Sequence, residues 1–115
     1  MADNPSEFLR GTLDLMIMRA LVWGPAHGFA VARWIERATE ETLEIEEGTL
    51  YPALHRMEER GLIEAEWGLS ENNRRAKYYT LTARGRAHLR AQSESWRRFA
   101  KAVGSLLEAP ADVGG

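Results

Sequence analysis

The side chains best suited to chemistry lie between Thr49 and Lys77. Thr49, Tyr51, His55 and Arg56 bring hydroxyl, imidazole and guanidinium groups into one short segment. Arg74, Arg75 and Lys77 follow as three cations within four residues. None of these groups is arranged for bond making. The chain has no glycine-rich phosphate loop, no nucleophile elbow and no paired catalytic carboxylates, so no enzyme is expected. What the set does well is noncovalent recognition of phosphates and base edges. Thr49 and Tyr51 donate to phosphate, and the Thr49 methyl suits a thymine methyl. His55 and Arg56 reach base edges, Arg56 preferably guanine. The three later cations bind through counterion release, which makes their contribution steeply salt-dependent.

Such side chains need a helix and a loop to hold them. Leu50, Leu54 and Met57 follow helical spacing and predict an inward stripe. Opposite it lie Thr49, Pro52, Ala53, His55, Arg56, Glu59 and Arg60. Pro52 sets the helix start near Gly48-Thr49, because proline is tolerated in a first turn, where N–H groups lack intrahelical partners. Glu46 and Glu47 sit where the helix dipole favours anions, and Gly61 is a natural stop. Leu62 to Trp67 then alternates, with Ile63, Ala65 and Trp67 on one face. Lys77 to Leu81 alternates too, with Tyr79 and Leu81 inward. The polar stretch between these strands is too long for a tight two-residue hairpin, so Ser70 to Lys77 is expected to project as a wing. Asn72 and Asn73 fit a turn better than a contact.

The remaining elements support this unit. Residues 8–23 read as a first helix, with Leu9, Leu13, Met16, Ile17, Ala20 and Leu21 on one side. Leu15, Met18 and Val22 make the other side apolar, which predicts cover by the chain's own core and by a second subunit. Residues 28–39 read as a second helix, with Phe29, Val31, Ala32, Trp34, Ile35 and Ala38 apolar, before the acidic connection 40–47. Thr82 caps a final helix running to about Glu108. In it Leu89, Trp96 and Val103 interleave with Gln92, Phe99 and Leu106 as a heptad seam. The expected dimer interface is therefore Leu13, Ile17, Leu89, Trp96, Phe99, Val103 and Leu106. The fold class is mainly α with a small β-hairpin: a winged helix-turn-helix of three N-terminal helices, a two-stranded wing and a long C-terminal dimerisation helix. Residues 1–81 would bind DNA, residues 82–108 would dimerise within the same compact unit, and 109–115 would be a frayed tail.

Composition narrows the classes further. A chain of 115 residues allows one modest core, and 44% apolar with 28% charged residues is an ordinary globular balance. The net charge of −2 hides a polarity: residues 1–66 carry −7 and residues 67–115 carry +5. A local basic surface holds phosphate even on an acidic protein. The absence of Cys rules out disulfides and thiolate metal sites. The apolar run Leu13 to Trp23 is broken by Asp14 and Arg19, and the start MADNPSEF lacks the order of a secretion signal. A cytoplasmic protein without membrane contact is expected. His27, His55 and His88 show no ligand-like pairing, and the glutamates of residues 40–47 lack a calcium-loop pattern. No metal or cofactor is expected, and His27 more plausibly fixes the Gly24–Gly28 turn.

These residues together resemble the PadR family of bacterial transcriptional regulators. The resemblance rests on GTLYPALHRMEERGLI, the W-G pair, NNRRAKYYTLTARGR, the first-helix segment GTLDLMIMRAL and the Gly24-Pro25-x-His27-Gly28 turn. It runs from about Glu7 to Glu108 and is similar to the short branch with a single C-terminal dimerisation helix. It implies a homodimeric repressor on double-stranded DNA with a palindromic operator. The third helix would enter the major groove, the wing would touch backbone or minor groove, and the last helix would pair with its partner. A multidrug-binding member holds flat aromatic molecules between paired tryptophans of that helix, and Trp96 matches the position by motif. This implies a planar aromatic effector; the alternative is that Trp96 only packs the interface. Two rivals to a regulator stay open. One is a ligand-binding dimer with a secondary DNA role. The other is a protein-interaction adaptor using the acidic first half.

Overall fold

The structure, a computed structural model, describes residues 5–112, with side chains from residue 11. The expected core position Leu9 and the last residues of the expected tail lie outside the described side chains and residues. Helix α1 spans Pro5–Ala20 and tightens into a 3₁₀ turn at Leu21–Trp23. Its start is therefore earlier than the apolar spacing suggests. A short strand β1, Ala26–His27, leads into α2, Gly28–Ala38. Then come α3 (Glu47–Glu59), β2 (Ile63–Leu69), β3 (Arg75–Leu81) and α4 (Ala83–Glu108).

The core forms where these elements converge. Ile17, Met18 and Leu21 pack with Val31 and Ile35 of α2, and with Leu50, Leu54 and Met57 of α3. Leu62, Ile63, Tyr79, Leu81 and Leu89 close it. Two expectations change here. Ile17, expected at a dimer interface, is 0% exposed within its own chain, so it has no surface to offer a second subunit. Leu89, at 9%, is likewise spent on the chain's own core. Met18 also turns inward, and among the described residues the other large apolar side chains of α1, Leu13, Leu15 and Met16, are half-buried at the core's edge. The reason is that α1 is wrapped by helices on several sides, which apolar periodicity alone does not distinguish from a subunit contact.

The sheet has three strands in the order β1-β3-β2, not two. Ala26 and His27 pair with Tyr79 and Tyr78, tying the start of α2 to the sheet. A two-residue strand has no room to show alternation. The hairpin is also longer and its tip tighter than expected: β2 and β3 pair from Ile63↔Leu81 out to Leu69↔Arg75. The Ser70 N–H donates to the Arg74 carbonyl (2.8 Å) and the Asn73 N–H to the Ser70 carbonyl (2.9 Å). Asn73 sits at φ 60°, the left-handed position that Asn tolerates, so its part is conformational. Trp67 corrects another expectation. The face shared by Ile63, Ala65 and Trp67 is buried only at its base, and Trp67 is 57% exposed because the hairpin has run beyond the core.

Local signals set the junctions around α3 and α4. The α3 helix ends in a Schellman turn: Leu62 N–H reaches the Met57 carbonyl and Gly61 N–H the Glu58 carbonyl, each at 3.0 Å. Gly61 takes φ 75° there, which only glycine adopts freely. Thr82 joins the two helices. Its hydroxyl donates to the Gly61 carbonyl (2.7 Å) and accepts from the Gly85 N–H at the start of α4 (2.9 Å). The first half of α4 packs on the body, whereas Phe99, Val103, Leu106 and Leu107 further along are exposed. Among the described residues no helix is long and apolar enough to cross a membrane.

Candidate nucleic-acid interface

The α3 helix begins at Glu47, with Glu46 at the N-cap position, so Pro52 is its sixth residue rather than part of the first turn. The proline removes the hydrogen bond to the Gly48 carbonyl, and the helix tolerates this because that end faces solvent. Thr49, Tyr51, Pro52, His55 and Glu59 are exposed on one face. Ala53, expected there too, is 0% exposed and belongs to the core. The Tyr51 ring lies across the start of α2. A Cβ on Gly28 would stand 2.8 Å from the Tyr51 hydroxyl, so only glycine permits this approach. His55 Nε2 lies 2.7 Å from Glu59 Oε1, which explains the acid on an otherwise donor-rich face.

Arg56 sits differently from its sequence reading. It is half-buried and turned toward α1, where its Nη2 lies 3.9 Å from Asp14 Oδ1. Arg60 approaches the same carboxylate at 3.5 Å, and Asp14 is only 3% exposed. Arg56 therefore joins α3 to α1 as well as bordering the outer face. Nearby on α4, burial and the guanidinium groups of Arg60 and Arg84 lower the His88 pKa below its ordinary value.

In the wing, Arg74 and Arg75 are exposed. The Arg75 guanidinium stacks over the Trp67 indole, 4.6 Å from the ring centroid. Lys77 is drawn back to α3, where its Nζ donates to Glu58 Oε1 at 3.1 Å. Beneath it Tyr79 is core, and burial raises its phenol pKa although Lys77 pulls it down. His27 caps α2, its Nδ1 accepting from the Ala30 N–H at 3.1 Å, and its ring meets Tyr78 edge-on. The turn role expected for His27 is thus a helix cap.

A helix with an exposed donor face, standing beside a cationic hairpin, is the arrangement of a winged helix. The model of the transcriptional regulator PadR-like family matches residues 17–91. The chain belongs to the PadR-like family of transcriptional regulators. It is 30% identical to the transcriptional regulator Rv3488 of Mycobacterium tuberculosis over 84% of this chain and 87% of that one. Among solved structures it resembles a transcriptional regulator from Clostridium thermocellum, with TM-score 0.79 and 29% identity, covering 89% and 99% of the two chains. It also resembles a PadR family regulator from Eggerthella lenta, with TM-score 0.72 and 33% identity, covering 91% and 89%. This PadR-like chain is thus a transcriptional regulator of that family with a winged-helix fold.

The PadR-like fold also gathers residues that sequence reasoning missed. Phe29, Arg33 and Arg37 recur every four residues along α2 and line one groove with Tyr51, Trp67 and Arg75. The signal was present as i, i+4 spacing, but Phe29 was read simply as one of the apolar residues of the second helix, and it is 63% exposed. Trp96 leans on its own α1: its Nε1 donates to the Thr12 hydroxyl at 3.3 Å. It borders a cleft of about 360 Å³ with Leu15, Met16, Trp34 and Ile35. Among the described residues no cluster of side chains is placed to hold a metal ion.

Proposed function

We propose that this chain is a cytoplasmic, homodimeric repressor that binds a palindromic operator in double-stranded DNA. The reading rests on one observation: Thr49, Tyr51 and His55 are exposed on the outer face of α3, beside a wing that carries Arg74 and Arg75. In this reading α3 enters the major groove with Thr49, Tyr51, His55 and the exposed edge of Arg56. Arg74, Arg75 and Lys77 meet the backbone. Residues 1–81 bind DNA and residues 82–108 dimerise. Support for the dimer comes from the exposed apolar stripe of Phe99, Val103, Leu106 and Leu107, with Trp96 at its near end; Leu13, half-buried on α1, stays in the proposed interface. Ile17 and Leu89 drop out of that interface because the chain's own core holds them.

Two recognition helices in such a dimer meet half-sites about 34–36 Å apart, one turn of DNA. A planar aromatic effector held at Trp96 would change the crossing of the α4 helices and release the operator. The test is fluorescence anisotropy on the promoter of the chain's own gene across a salt series. Specific binding with a steep salt slope supports the repressor; equal affinity for unrelated DNA refutes it. For the effector, planar aromatic dyes should quench tryptophan emission in the wild type and not in Trp96→Ala. Persistent quenching there would assign the signal to Trp23, Trp34 or Trp67 and defeat the effector model.

A further inference from the structure

A groove of about 880 Å³ opens between α2 and the wing. Four cations line it, Arg33, Arg37, Arg75 and Lys77, against a single acid, Glu71. Two of the four are already engaged: Arg33 lies 3.3 Å from Glu36, and Lys77 3.1 Å from Glu58. Arg75 has no ion pair among the described residues. Its guanidinium carbon lies instead over the Trp67 indole, 4.6 Å from the ring centroid. In register, Trp67 stands opposite Lys77, and Arg75 is its diagonal neighbour on the same face of the hairpin. The indole is 57% exposed, so the ring face beneath Arg75 is open to the groove.

We infer that Trp67 is the positioning residue for Arg75, and that the pair forms a preformed seat for one backbone phosphate at the mouth of this groove. The inference rests on the DNA-binding reading above and adds a residue to it. A guanidinium stacked by its face keeps its in-plane N–H donors free, and those donors match two phosphate oxygens in a fork. A wing arginine without a stacking partner loses rotamer freedom on binding. Trp67 removes much of that loss beforehand, because the side chain is already laid across the ring. Neighbouring Arg74, which has no such platform, remains an unguided cation.

The test is a double-mutant cycle of Trp67→Ala and Arg75→Ala in the full-length chain, read as operator affinity across a salt series. Arg75→Ala should weaken binding and reduce the slope of log K against log salt by about one per subunit. Trp67→Ala should weaken binding roughly two- to five-fold, the usual range for an exposed cation–π contact, with the slope unchanged because the charge remains. The double variant should bind as Arg75→Ala does, and Trp67→Tyr should recover most of the affinity. A tryptophan that merely supports the hairpin would give additive losses, with no rescue specific to an aromatic face. In free protein, the indole N–H resonance of Trp67 should shift in Arg75→Ala. Additive losses, or a resonance indifferent to Arg75, overturn the inference while DNA binding stands. Failure of the wild type to bind the operator removes the DNA reading itself.

Discussion

Replacing Asp14 tests whether Arg56 acts as a strut between helices or as a reader of DNA. The Asp14 carboxylate is 3% exposed, with Arg56 at 3.9 Å and Arg60 at 3.5 Å. Both arginine side chains keep substantial solvent access, at 38% and 51%, so the full penalty of a buried pair does not apply. A charge-assisted contact of this kind is worth about 1.5–3 kcal/mol when well buried. With half-exposed partners, Asp14→Asn should cost about 1–2 kcal/mol. For a chain of this length that is a fall in Tm of roughly 4–12 °C, from about 4–8 °C per kcal/mol in small domains and less in larger ones. The assay is thermal unfolding by circular dichroism at fixed protein concentration, because a dimer's Tm depends on concentration. Arg56→Ala alone should cost less, since Arg60 still faces the carboxylate. The two substitutions should also be non-additive in stability. Operator affinity separates the roles. If Asp14→Asn costs under about 0.5 kcal/mol while Arg56→Ala abolishes DNA binding, the strut argument is wrong and Arg56 acts as a direct reader.

Three further outcomes follow from named contacts. Gly28→Ala brings a methyl within 2.8 Å of the far end of the Tyr51 ring, which is 43% exposed and can swing outward, so the cost should stay below about 1 kcal/mol; Tyr51→Ala in the same background should remove it in chemical denaturation. Leu106→Asp, on a side chain 72% exposed in the single chain, should shift sedimentation toward the monomer while leaving the helical circular dichroism signal largely intact. The pKa of His88 is lowered in the folded state, so the unfolded chain binds the proton first as pH falls. Stability should therefore drop as pH falls through about 6.5, and His88→Gln should flatten that limb in pH-dependent melts.

Much of this architecture was legible because it is carried by short-range rules. Thr82 announced α4 and Gly61 announced the end of α3, each through a backbone group that a neighbouring residue must satisfy. Tyr79 and Leu81 followed from alternation and are core. The failures share a cause: each depends on what lies across space. Trp67 kept its place in the alternating pattern, but the core does not reach that far along the hairpin, and what lies over its ring is the Arg75 guanidinium. Ile17 looked like interface because an apolar helix face does not say whether its neighbour is the same chain. For Lys77 and Arg56 what sequence could not show is the added engagement with Glu58 and Asp14, across nineteen and forty-two positions. Strand β1 was hidden by its brevity, yet it fixes where α2 begins relative to the wing.

The Thr82 hydroxyl has a mechanical consequence. One oxygen holds the carbonyl of Gly61, just past the end of α3, and the amide of Gly85 at the start of α4, so the two helix ends are joined directly across space. Helix α4 has 26 residues and is about 39 Å long. A rotation of about 5° at this end moves its far end by about 3.4 Å at that length. Leu89 in the core and the Trp96–Thr12 hydrogen bond hold the first half of α4 to the body as well. A displacement at the exposed apolar end would therefore reach α3 as rotation of the whole body, with Thr82 as one of the contacts that transmit it.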